Sequence, residues 1–250
     1  MRIILVGYGK MGKAIEVAAL AKGHQISARI DLHNTEDLQE AMARSADIAI
    51  EFTGPGSAYE NVCRCLELGL PVVTGSTGWL EHYGDAIALC HQRQGALIHA
   101  SNFSIGVNIF FEVNRQLSRL MAAHPAYDVQ VSEVHHTQKK DAPSGTAIRL
   151  AEQIVQAEGV KTRWTDHQTE NPTDLYIESE RREPYPGLHR VRYRSTIDEI
   201  EISHNALRRD GFAAGAILAA EFLVGRKGVF SMKDVLGLGE EVPSPGNAQP

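Results

Sequence analysis

The residues Glu133 to Ala147, "EVHHTQKKDAPSGTA", press two histidines, two lysines and an aspartate against a proline, a glycine and a Ser/Thr pair. Three chemistries could use such a stretch. A metal site is disfavoured, because adjacent His135 and His136 on an extended segment point to opposite faces. No second cluster with ligand spacing, such as HExxH or paired cysteines, accompanies them. A serine nucleophile is disfavoured too, since Ser144 lacks a GxSxG elbow and no base is fixed beside it by spacing. The third chemistry is an anion site beside a proton donor. "APSGTAIRLAEQIV" reads as a helix starting near Ser144, and its first-turn amides around Gly145 and Thr146 can hold a carboxylate. Lys139 and Lys140 add positive charge upstream, and a histidine here is expected to keep a near-neutral pKa suited to proton transfer. A solvated Lys/His loop followed by an ordinary capped helix stays open as the plain alternative.

A second set of residues lies at the N-terminus. "RIILVGYGKMGKAI" places Gly7, Gly9 and Gly12 in GxGxxG spacing between a strand and a helix, and Asp31 ends the next strand. This is the context of a dinucleotide fingerprint: a tight turn at Gly7, close approach to a pyrophosphate at Gly9, and close helix packing at Gly12. Asp31 could instead be a cap or turn residue. The loops "EFTGPGS" and "VTGSTGW" follow strands on the same expected sheet edge, where ligands of such sheets collect. Ordinary Gly/Ser/Thr turn chemistry is the alternative for both. The residues assigned to the cofactor are Gly7, Tyr8, Gly9, Lys10, Met11, Gly12, Asp31, Phe52, Thr53, Gly75, Ser76 and Thr77, with Ala100, Ser101, Asn102 and Phe103 after a later strand.

The elements that must carry these residues differ between the halves. Up to residue 101, short apolar strands alternate with helical stretches, which predicts a Rossmann-like doubly wound parallel sheet. From Asn102, "YDVQVSEVHH", "DLYIESERRE" and "HRVRYRSTIDEIEISH" show polar alternation, which predicts a second α+β domain on a mixed or antiparallel sheet with one open face. A 250-residue chain that is 43% hydrophobic can fill two such cores. Its 25 basic against 31 acidic residues argue against a nucleic-acid partner, while a local basic pocket could still take a small anion. Cys63, Cys65 and Cys90 lack CxxC spacing and point to a reducing cytoplasm. The first apolar run is short and Glu221 interrupts the later one, so no signal peptide or membrane span is expected. The tail from Glu240 is rich in Pro and Gly and is expected to be disordered.

Together these residues resemble the 4-hydroxy-tetrahydrodipicolinate reductases, also called dihydrodipicolinate reductases. The match rests on His135, His136, Lys139 and "DAPSGTA" at 141 to 147, and extends to the glycine turn, "GSTG" at 75 to 78, "ASNFSIGVN" at 100 to 108 and "ISHNALRRDGFAAGA" at 202 to 216. Residues 155 to 176 match little. The resemblance implies a nicotinamide-dependent reductase of the diaminopimelate route to lysine, a homotetramer built through the mixed sheet, and no metal. It implies His135 as proton donor with Lys139 as its partner, and His136, Lys139, Ser144, Gly145 and Thr146 around the substrate's carboxylates. The nicotinamide would lie near Thr77 and Asn102 to Phe103, at the seam of two domains. The C-terminal segment would return to the cofactor domain, giving 1 to 101 plus 213 to 250 and a substrate domain of 102 to 212. This chain departs in its compact "GYGKMG" turn with Lys10 and in having no arginine just beyond Asp31. NADH is therefore expected over NADPH, with Lys10 and Arg29 as opposing cations. Two rival readings stay open: a dehydrogenase of the aspartate semialdehyde kind, which needs a thiolate, and a dinucleotide-sensing regulator, which needs no His135 and Lys139 pair.

Overall fold

The computed structural model describes residues 1–39, 44–208 and 210–239. The expected disorder from Glu240 onward falls outside these residues. Two compact units emerge, one formed by Met1–Ile105 with the described residues from Asp210 onward, the other by Gly106–Arg209.

The first unit holds strands β1 (Arg2–Val6), β2 (Gln25–Ile30), β3 (Ile48–Glu51), β4 (Val72–Thr74), β5 (Ala96–His99) and β11 (Gly228–Phe230). They form one parallel sheet in the order β11-β5-β4-β3-β1-β2. Helices α1 (Lys10–Ala21), α2 (Ala58–Glu67), α3 (Tyr83–Gln92), α6 (Gly211–Leu223) and α7 (Met232–Val235) complete it. Side chains alternate across a strand, so β1 sends Ile3 and Leu5 into a core with α1 and α6, and Ile4 and Val6 into a second core with α2 and α3. Burial on both faces is why β1, β3, β4 and β5 read as apolar runs, while the edge strand β2 alternates. Helix α6 approaches so closely that a Cβ at Gly215 would lie 1.7 Å from the Phe103 carbonyl oxygen.

The second unit contains α4 (Ile105–Met121), β6 (Asp128–His135), α5 (Gly145–Gln156), β7 (Arg163–Thr165), β8 (Asp174–Arg181), β9 (Gly187–Arg194) and β10 (Glu199–Ala206). The sheet runs β10-β9-β6-β8-β7, with β6, β8 and β7 parallel and β9 and β10 antiparallel to their neighbours. Val129, Val131, Leu175, Ile177, Val191 and Tyr193 face α4 and α5 in a single core. The opposite face is polar and open: Gln130, Ser132, Glu178, Arg190, Arg192 and Glu201 line a shallow cavity of about 470 Å³.

Candidate active site

In the first unit the glycine turn is shaped by collisions that larger residues would cause. Gly7 has φ +96° and an added Cβ would lie 2.1 Å from the Phe52 carbonyl oxygen, while a Cβ at Gly12 would lie 2.2 Å from the carbonyl oxygen of Gly7. Gly9 meets nothing within 4 Å and caps α1, leaving open space before the first-turn amides. This suits a pyrophosphate. A cleft of about 510 Å³ is lined by Gly7, Gly9, Asp31, Phe52 and Thr53, and one of about 330 Å³ by Gly9, Lys10, Met11, Phe52, Thr53, Gly75, Ser76 and Thr77.

Of the remaining residues assigned to the cofactor, Tyr8, Gly12, Ala100, Ser101, Asn102 and Phe103 line neither cleft. Gly12 is a packing glycine. The Phe103 ring is buried, 5.7 Å from the Phe52 ring. Asn102 accepts a bond from the Ser104 amide at 2.9 Å. Ser76 lines its cleft, yet its hydroxyl donates inward to Glu51 at 2.8 Å. Glu51, fully buried, also accepts from the Thr53 amide at 2.9 Å and from the hydroxyls of Thr53 and Thr74. It thereby ties both cofactor-side loops to the end of β3. Only an acid inside the apolar run "DIAIEFT" hints at this in sequence.

Asp31 is exposed beside the glycine turn, with its carboxylate accepting from the Leu32 amide at 2.9 Å and its own amide donating to Asn34 at 2.7 Å. The nearby cation is already engaged. Arg29 donates to Glu16, whose carboxylate also accepts from the Tyr8 hydroxyl, and the guanidinium stacks 5.6 Å from the Tyr8 ring. Hydrogen bonds from Arg29 and then Tyr8 hold the Glu16 carboxyl below its usual range.

In the second unit, strand alternation builds a polar corner. The face that carries Val129 and Val131 continues to Glu133 and His135. Register places Ser179 and His189 beside Glu133 and Arg181 beside His135. Thus the apolar rows of β6, β8 and β9 pass at one end into a polar cluster in which Glu133, His135 and His189 are buried and Ser179 and Arg181 half-buried. Glu133 Oε1 accepts from the Ser144 amide at 3.0 Å, the Ser179 hydroxyl at 2.9 Å and Arg181 at 3.3 Å. Its Oε2 lies 3.4 Å from His135 Nδ1 and 3.5 Å from His189 Nε2. Ser144 caps α5 by accepting from the Ala147 amide at 3.2 Å, and its hydroxyl contacts His189 Nε2 at 3.2 Å. Exposed Gly145 and half-buried Thr146 form the open first turn. Glu133, Ser179, Arg181 and His189 carried no signal of their own in the sequence, because each occupies an ordinary position of an alternating strand.

Electrostatics correct one expectation. His135 is not near neutral: burial, helped by His189, Lys139 and Arg181, pushes its pKa down to about 4 against the raising influence of Glu133. Burial pushes Glu133 up, but contacts from His189, Ser144 and Ser179 outweigh it and hold the carboxyl well below its usual range. Lys139 Nζ donates to both oxygens of exposed Asp141, at 2.8 and 2.7 Å, so its charge is paired in the free protein. Half-buried His136 leaves the strand just beyond His135, and exposed Lys140 follows Lys139 in the connecting loop.

Among the described residues, one set of three could by separation hold a cation, Glu133, His135 and His189, with ligand atoms within 4.8 Å of one another. Arg181 already supplies positive charge to the same carboxylate, so a divalent ion would share one anion with a guanidinium. The cluster reads as a hydrogen-bonding hub. The thiolate rival fails on burial, which pushes Cys65 up to about 12 and raises Cys90 and Cys63 as well. Among the described residues no helix is long and apolar enough to cross a membrane.

A glycine turn on a parallel sheet and a separate sheet with a buried acid–base corner define a two-unit, dinucleotide-dependent oxidoreductase. Residues 1–103 match the family model described as dihydrodipicolinate reductase, N-terminus, and residues 106–236 the one described as its C-terminus. The chain belongs to the dihydrodipicolinate reductase family. It is 42% identical to 4-hydroxy-tetrahydrodipicolinate reductase of Christiangramia forsetii over 94% of this chain and 98% of that protein. To the enzyme of that name from Neisseria meningitidis serogroup B it is 31% identical, over 89% and 84%. The fold is shared with a dipicolinate-bound dihydrodipicolinate reductase from Paenisporosarcina sp. TG-14, at TM-score 0.74 and 21% identity, covering 92% and 97% of the two chains.

Proposed function

We propose that this chain reduces 4-hydroxy-tetrahydrodipicolinate to tetrahydrodipicolinate with NAD(P)H and loss of water, a step of the diaminopimelate route to lysine in the cytoplasm. The observation that carries the reading is the buried corner in which a histidine, a carboxylate and the capped start of α5 meet through Ser144.

When bound in the glycine turn, the cofactor supplies a hydride. This chain's residues supply the rest. The open amides of Gly145 and Thr146 and the ammonium of Lys139 hold the carboxylates of a cyclic dicarboxylate, with His136 alongside. A substrate carboxylate competes with Asp141 for Lys139, so binding exchanges one anion for another. His135 then delivers a proton. Its ring is neutral in the free protein, and the negative charge of the substrate together with Glu133 favours its protonated form in the complex.

The cofactor is proposed to be NADH in preference to NADPH. Asp31 can accept from a ribose 2′-hydroxyl and repels a 2′-phosphate, and Glu16 holds Arg29 that could offset the repulsion. The partner is proposed to be three further copies of the chain, joined through the open polar face of the second sheet. The test couples the purified protein to a synthase that makes the substrate from pyruvate and aspartate semialdehyde, and follows NAD(P)H absorbance. Turnover with wild type and its loss in His135→Gln support the reading; tight cofactor binding without turnover would favour the regulator.

A further inference from the structure

We propose that Glu133 is a positioning residue for this reaction, one buried carboxylate that fixes the ring tautomer of His135 with one oxygen and the start of α5 with the other. The inference rests on the reading above and deepens it.

The two oxygens of Glu133 do different work. Oε1 is saturated, accepting from the Ser144 amide, the Ser179 hydroxyl and Arg181. Through Ser144 it anchors the residue that caps α5, so it sets where the first-turn amides point. Oε2 is sealed from solvent and has no well-formed hydrogen bond; it lies 3.4 Å from His135 Nδ1, which is likewise unpartnered, and 3.5 Å from His189 Nε2. Leaving a buried polar atom without a partner is unfavourable, so two such atoms facing each other are poised to pair after a small rotation of the ring. A lone pair on Nδ1 facing a carboxylate would be repulsive. The proton of the neutral ring therefore belongs on Nδ1, which leaves Nε2 as the nitrogen that gains and delivers the catalytic proton. Nε2 is turned toward Gly187, where a Cβ would stand only 3.0 Å away.

The charged and titratable groups around the ring come from four segments: Glu133 on β6, His189 on β9, Arg181 on β8 and Lys139 in the loop after β6. Only Glu133 favours the imidazolium. Removing its charge while keeping its shape must make His135 harder to protonate.

Two measurements test this. In ¹⁵N-histidine correlation spectra of the unliganded wild type at pH 7.5, with the His135 signal assigned by its loss in His135→Gln, the ring is expected as the Nδ1–H tautomer. An Nε2–H tautomer or an even mixture overturns the proposal, and this result needs no turnover and no Glu133 variant. In Glu133→Gln, kcat is expected to fall about 10- to 100-fold with the dissociation constant of NADH unchanged. The alkaline limb of its kcat profile is expected to move down by about one pH unit or more. A limb that stays in place while kcat or stability falls shows a purely structural role and overturns the proposal. If the wild type showed no turnover at all, the proposed reaction would fail, while the tautomer result would still stand or fall by itself.

Discussion

Replacing Gly187 by alanine places a methyl group against Nε2 of His135, the nitrogen proposed to deliver the proton. Its Cβ would stand 3.0 Å from Nε2 and 3.3 Å from Cδ2, with His189 Cε1 at 3.8 Å. Ordinary contact begins near 3.4 Å, so the ring must retreat by 3.4 minus 3.0, about 0.4 Å. His135 is 7% exposed and packed edge-on against His189, with ring centroids 5.0 Å apart, so it has little room to retreat. A misplacement of about 1 Å costs on the order of 10²-fold in rate, so 0.4 Å should lower kcat by roughly tenfold. Gly187 opens β9 without a left-handed backbone, so alanine is conformationally allowed there and the variant should fold. The assay is steady-state kcat together with the NADH dissociation constant and Tm. Expected are a tenfold lower kcat, an unchanged NADH constant and a Tm within a few degrees of wild type. A wild-type kcat would refute the reasoning, because it would mean that the crowded nitrogen is not the one that delivers the proton.

The kcat/KM ratio should favour NADH in the wild type, fall in Asp31→Ala, and fall in Glu16→Gln as Arg29 is released; a tenfold NADPH preference unaltered by Asp31→Ala would contradict the role of that acid. His135 has a folded pKa of about 4, below its ordinary 6.5, so its neutral form contributes stability in full above about pH 6.5, and that contribution is lost as pH falls toward 4. The loss amounts to about 3 kcal/mol, and Glu133 adds to it once the pH drops below the ordinary carboxylate range. Urea unfolding at pH 7.5, 6 and 5 should therefore show a steeper decline in wild type than in His135→Gln, and parallel curves would count against it. Light scattering at micromolar concentration should give the mass of four chains; a monomer would remove the open sheet face as an assembly surface.

Features that depend on local order are legible in the chain alone. Gly7, Gly9 and Gly12 announce their turn because steric demands act over a few residues, and Ser144 announces α5 because capping spans one turn. The parallel sheet is legible for the same reason, since strands buried on both faces must be unbroken apolar runs. The resemblance to the family rests chiefly on one contiguous stretch, and the roles proposed for His135 and Lys139 come with that resemblance. The three-residue strands β7 and β11 leave little periodicity to detect in the chain alone.

The surroundings of His135 depend on contacts that exist only in the fold. Glu133 is two residues away in sequence, but Ser179, Arg181 and His189 reach it through register across β8 and β9, which no spacing encodes. The near-neutral histidine expected from composition became a buried one with a pKa of about 4, because desolvation depends on what covers a side chain rather than on its neighbours in the chain. Arg29 likewise reads as a free cation until α1 brings Glu16 and the glycine turn brings Tyr8 against it. Charge and burial are set by the sum of surrounding atoms, and that sum exists only once the chain has folded.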